Sequence, residues 1–165
     1  VVNGNGHNRP DDNDRKDVAG RVAAGLGGGV EAGASGYLGW AGPAGDPRTR
    51  LGGDLQWRWA SPKFGTLLLR TEYLRQVDDP VAGTLRRQGA YLLAAWRRGM
   101  MEPVARVEWF DPDEGRGGDH LLGFTMGVNL YVAGASRLSF NQTMRSDQAR
   151  PGHGGLTAVQ AQVAF

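Results

Sequence analysis

Cysteine is absent from the 165 residues, which excludes disulfides and thiolate metal sites. No stretch approaches the roughly 18 consecutive apolar residues of a membrane-crossing helix. Lysine is nearly missing: Lys16 and Lys63 stand alone among 19 basic residues, and the rest are arginine. The formal charge is only +2, and the arginines are spread along the chain, whereas a nucleic-acid binder clusters them. Around Gly25–Gly33 the glycines do not form G-x-G-x-x-G and no P-loop lysine follows, so there is no case for nucleotide binding. Mean hydropathy is −0.42, on the hydrophilic side. A membrane barrel is compatible with that value, because its strands are only half apolar.

Glycine, by contrast, is abundant at 27 residues and follows no collagen-like period, which suits turns and crowded strands. Alternation with a period of two recurs along the chain and marks strands rather than helices. In Arg50–Trp59, Leu51, Gly53, Leu55, Trp57 and Trp59 share one face, and Arg50, Gly52, Asp54, Gln56 and Arg58 share the other. Similar patterns run over Val18–Leu26, Val30–Ala41, Phe64–Arg75, Pro103–Phe110, His120–Val132, Arg137–Arg145 and Thr157–Phe165. Arg86–Arg97 is apolar on both faces around Tyr91–Trp96, and we read it as a strand too, although a helical turn has the same signature.

Nine strands result, and counting back from Phe165 their connections alternate long and short. Residues Gly42–Thr49, Gln76–Leu85, Asp111–Asp119 and Ser146–Gly154 are expected as the long loops, and Val1–Asp17 as a loop preceding the first strand. Outer-membrane barrels have this alternation, with long extracellular loops and short periplasmic turns. The expected fold is therefore an all-β, transmembrane, antiparallel up-and-down β-barrel formed by residues 18–165, with residues 1–17 an extracellular loop. Single-chain bacterial barrels have even strand numbers, so nine strands are expected to be the carboxy-terminal part of a larger one.

Several segments carry a family likeness. A-R-V-E-W-F-D-P-D (Ala105–Asp113), G-F-T-M-G-V-N-L-Y-V (Gly123–Val132), R-L-S-F-N-Q-T (Arg137–Thr143) and the Phe165 ending resemble the phosphate-selective porin family of Gram-negative outer membranes. V-E-A-G-A-S-G-Y-L-G-W (Val30–Trp40) and R-L-G-G-D-L-Q-W (Arg50–Trp57) agree with it. The resemblance implies a sixteen-stranded barrel, usually a homotrimer, that passes anions through a lumen lined by arginine and lysine. The family's constriction lies mainly on an inward-folded loop of the amino-terminal half, which has no counterpart here. A terminal Phe on an alternating strand also resembles the signal read by the outer-membrane assembly machinery.

The candidate pore-lining residues are Arg21, Arg50, Arg58, Arg70, Arg106, Arg137 and Arg145, with Glu31, Asp54, Glu72 and Glu108. Seven cations against four anions favour anions, because charged linings select ions and arginine offers phosphate a fixed donor fork. The alternative is that these residues brace the wall as ion pairs, as Arg70 with Glu72 and Arg106 with Glu108 suggest. Trp40, Trp57, Trp59, Tyr73, Trp96, Trp109 and Phe165 fall near strand ends, as membrane-interface girdles do.

The acidic loops Asp11–Asp14 and Asp111–Glu114 offer oxygen ligands for calcium but match no EF-hand, and are read as solvated loops without metal. His120, Ser139 and Asn141 have the residue types of a barrel phospholipase, but the facing pattern puts His120 outward and the other two inward. The expected function is thus a non-enzymatic outer-membrane porin, without cofactor, for passive diffusion of small anionic, phosphate-like solutes. Its surroundings would be outer-membrane lipid and lipopolysaccharide, with the remainder of the barrel as partner and no nucleic acid. A non-conducting scaffold segment is the alternative, and a soluble β-sandwich a third reading.

Overall fold

The computed structural model describes residues 15–42, 44–80, 83–133, 136–149 and 153–163. They form one all-β sheet of nine strands: β1 (Val18–Gly27), β2 (Val30–Ala41), β3 (Asp46–Ser61), β4 (Gly65–Asp78), β5 (Leu85–Arg97), β6 (Met101–Asp111), β7 (Leu121–Ala133), β8 (Ser136–Asp147) and β9 (His153–Gln162). Each strand pairs antiparallel with the next in sequence, so the topology is a plain meander with β1 and β9 at its two ends. No helix occurs among the described residues.

The strands run from 10 to 16 residues. Soluble strands are commonly about 5–6 residues long, whereas a tilted membrane-spanning strand needs about 9–11. The connections 28–29, 62–64, 98–100 and 134–135 are two or three residues long, and 42–45, 79–84, 112–120 and 148–152 are four to nine. Short and long alternate, so one end of the sheet carries only tight turns. Gly27, Gly28 and Gly29 make the first of them at φ of 85°, 59° and 80°, which side chains with a Cβ resist.

The strands extend further than their alternation suggests. Gly42–Thr49 is not all loop, because β3 already begins at Asp46. Pro47 is tolerated there because the ladder has only begun. Gln76–Asp78 belongs to β4, not to the following loop. Asp78 is held from both neighbouring strands: Arg48 Nε donates to Oδ1 at 2.6 Å and Arg87 Nη1 to Oδ2 at 2.8 Å. The ambiguous segment around Tyr91–Trp96 is strand, and it is apolar on both faces because Ala95, on the polar side, is buried at 6% exposure.

Residues 1–14 of the expected leading loop, including Asp11–Asp14, lie outside the described residues. Asp17, its last residue, is not solvated loop but wholly buried. Its carboxylate accepts from the Trp40 backbone N–H at 3.1 Å and from the Tyr37 hydroxyl. At the other end β9 stops at Gln162, and Phe165 lies outside the described residues.

Directly opposed residues of an antiparallel sheet share a face, so the registers sort the whole chain into two faces. One row of the first face reads Ala24, Ala32, Leu55, Thr71, Leu92, Val107, Phe124, Met144 and Gly155. The next row, on the opposite face, reads Ala23, Gly33, Asp54, Glu72, Tyr91, Glu108, Gly123, Arg145 and Gly154. The apolar face covers no core. Val22 is 74% exposed, Val159 66% and Leu51 61%, and Ala95 is the one buried hydrophobic among the described residues.

Candidate functional site

All eleven charged candidates fall on the polar face: Arg21, Arg50, Arg58, Arg70, Arg106, Arg137, Arg145, Glu31, Asp54, Glu72 and Glu108. Seven further charges of the strands share it: Arg48, Arg87 and Arg97, with Asp46, Asp78, Glu102 and Asp147. Most of these sat in segments that read as loop or as apolar strand, which hid them. The face therefore carries ten arginines against eight carboxylates, a smaller positive excess than seven against four.

Arginines on this face are of two kinds. Arg21 is paired: Nη2 lies 2.7 Å from Asp54 Oδ1 and 3.9 Å from Glu31. Arg106 pairs with Glu108, whose other oxygen is 3.7 Å from Arg145 Nη2. Space for these pairs comes from glycines across the ladder. A Cβ on Gly33 would fall 2.5 Å from Asp54 Oδ2 and 2.6 Å from Arg21 Nη2, and one on Gly123 would strike the Glu108 side chain.

The other kind has no carboxylate partner among the described residues. Arg50 donates to Gln76 Oε1 at 2.8 Å and lies over the Tyr37 ring at 4.8 Å. Arg70 donates to Gln56 Oε1 at 3.0 Å, so the expected Arg70–Glu72 pair does not form. Arg137 donates to Gln162 Oε1 at 3.1 Å, and Arg58 makes no side-chain contact of this kind. Neutral amides orient the guanidinium forks of Arg50, Arg70 and Arg137 without cancelling their charge, which leaves donors available to an anion. Arg50, Glu72, Tyr91, Arg106, Glu108 and Arg145 meet around a concavity of about 860 Å³ in the half of this face nearer the long loops.

Six of the seven girdle candidates, Trp40, Trp57, Trp59, Tyr73, Trp96 and Trp109, fall among the described residues, and all six lie on the apolar face, in two groups. Trp57, Trp59 and Trp96 are near the tight turns. The indole N–H of Trp57 reaches Gly28 O at 3.1 Å, and that of Trp96 reaches Phe64 O at 2.7 Å. Trp40, Tyr73 and Trp109 lie towards the long loops, where the Tyr73 hydroxyl donates to Gln88 Oε1 at 2.9 Å. Because β3 and β4 are longer than expected, Trp57 and Tyr73 sit inside their strands rather than at the ends. Among strand residues the apolar face bears charge only at Arg75, Arg86 and Asp111, each within four residues of a long loop.

The loop after β6 is folded rather than loosely solvated. Asp111 is buried at 4% exposure and accepts from the Asp113 N–H at 3.1 Å. Glu114 receives two hydrogen bonds from Arg75, at 2.8 and 2.7 Å. This bond from the Arg75 guanidinium holds the Glu114 carboxyl below its ordinary pKa. His120 and Ser139 are not brought together. Ser139 is buried, donates to Asn129 Oδ1 at 2.6 Å and pairs opposite Asn129, about 30 Å along β7 from His120. Compared with protein-family models, curated proteins and solved structures, the chain matches none.

Proposed function

We propose that this chain forms part of the wall of an outer-membrane porin, through which small anionic solutes of the phosphate type diffuse passively. The observation that carries the reading is the division of charge between the faces. Nine long strands place ten arginines and eight carboxylates on one side, and on the other only the three charges beside the long loops. A soluble sheet has no reason to leave a broad apolar face without charge and uncovered. A lipid-facing wall has one, since an arginine or lysine at the bilayer midplane costs about 2–4 kcal/mol. Two groups of aromatics bounding that face suit the girdles of such a barrel, with the tight turns on the periplasmic side.

The unpaired edges of β1 and β9 call for further strands, since an open edge does not persist in lipid. The rest of the barrel would supply them, and complete barrels would then associate as a trimer, as in the porin family resembled. Anion preference rests on the arginines held by neutral amides rather than on the total charge. The native polypeptide reconstituted in planar bilayers is expected to give stepwise conductance, with reversal potentials in a salt gradient on the anion side. Cation preference would sink the anion assignment, and a silent membrane-inserted barrel would put the scaffold reading in its place.

A further inference from the structure

We infer that Asp111, Asp119 and His120 form a binding site for a divalent transition-metal ion, zinc by preference, at the long-loop rim of the sheet. One donor atom from each of the three side chains lies within 4.8 Å of the other two. Such spacing lets one ion at about 2.0–2.2 Å touch all three with small side-chain adjustments. The donors stand on firm supports. Asp111 ends β6, and Asp119 and His120 lead directly into β7. The intervening loop is pinned by Glu114 N–H to Arg86 O at 2.9 Å, and His120 O accepts from Gln148 N–H at 3.1 Å. The Trp109 ring lies 5.8 Å from the imidazole and backs it.

A second observation points to a ligand. Although both side chains are partly exposed, the atoms Asp119 Oδ1 and His120 Nδ1 are shut off from solvent and have no hydrogen-bond partner among the described residues. Leaving two such atoms unmet is unfavourable, because each has given up its bonds to water without gaining a partner. An imidazolium–carboxylate pair does not account for them, since Nδ1 is 3.9 Å from Asp111 Oδ2, beyond hydrogen-bonding distance, and Asp119 Oδ1 would stay unmet. A cation held by the three side chains would sit beside the buried Asp111 carboxylate and would offer these atoms the partner they lack. A nitrogen donor beside two carboxylates favours a first-row ion such as zinc over calcium, which takes oxygen ligands.

The test is a zinc titration of the full native polypeptide in detergent, against a competing colorimetric chelator, with circular dichroism as the check of folding. The expected result is one saturable site per chain. His120→Ala and the conservative Asp119→Asn should each weaken it by at least about tenfold, since even indirect partners of metal ligands are worth 10–100-fold. Glu114→Gln, which leaves the three donors intact, should bind as the wild type does. Absence of saturable binding would overturn the proposal. So would zinc affinity unchanged by His120→Ala, loss that follows His7→Ala or His153→Ala instead, or calcium binding at equal strength that His120→Ala does not alter.

Discussion

The two faces of this sheet are built from the same strands, residue by residue in alternation, yet they obey different rules. On the apolar face charge is confined to Arg75, Arg86 and Asp111 at one end, while the polar face carries charge in rows from turn to loop. Strand propensity cannot produce this difference, because neighbours in one strand share backbone geometry and differ only in the side they point to. The surroundings of each side produce it. One side must avoid charge everywhere except near one end, and the other must hold many arginines without burying them.

The sharpest way to break this comparison is to move a charge one residue along a strand. Val159 and Ala158 are adjacent in β9 and both exposed, Val159 beside Phe140 on the apolar face and Ala158 beside Asn141 on the polar one. Val159→Arg should lower the unfolding free energy of the protein in lipid vesicles by up to about 2–4 kcal/mol, according to its depth. Ala158→Arg should change it by no more than about 0.5 kcal/mol. Equal effects measured by denaturant titration would mean that the apolar face does not meet lipid.

A smaller effect sharpens the comparison from the polar side. Removing charges there should alter selectivity while leaving the fold nearly untouched. Glu108→Gln leaves Arg106 and Arg145 without their carboxylate and should shift reversal potentials further towards anions. Arg58→Gln removes a cation that has no partner among the described residues and should shift them towards cations. Neither should cost more than about 1 kcal/mol of stability, the worth of an exposed pair. Identical shifts from both variants would show that this face does not line a conduction path.

The face assignment was legible because alternation is a local signal that survives without knowledge of the partners. Strand ends were not legible at Asp46–Thr49 and Gln76–Asp78, because a polar-face residue and a loop residue look alike in sequence. What distinguishes Asp78 is Arg48 and Arg87, each contributed by another strand. The same limit governs the ion pairs. Arg70 bonds directly across the ladder to Gln56, where side chains are nearer than at i+2. Arg106 has only Leu93 and Thr125 opposite it and turns along its own strand to Glu108. Asp17 read as loop for a comparable reason: the Tyr37 hydroxyl and Trp40 N–H that bury it come from β2.

The mildest expected effect concerns the clasp between Arg75, on the apolar face near its charged end, and Glu114 in the loop above it. Arg75 is exposed and Glu114 half-buried, so the clasp should contribute modestly and should weaken with salt. Its pH dependence has a definite sign. The hydrogen bond from Arg75 lowers the Glu114 pKa in the folded protein, so the unfolded chain binds the proton more readily. The contribution is therefore complete above the unfolded carboxylate value, about 4.3. It disappears as pH falls from there through the lower folded value. The stability difference between wild type and Glu114→Gln should be constant from neutral pH down to about 5 and should shrink below about 4. Arg75→Gln should abolish that pH dependence, because the carboxyl then has no donor to hold it. A difference that instead widened on acidification would mean that Glu114 is destabilised by its surroundings and that the loop is held down by its backbone bond to Arg86 alone.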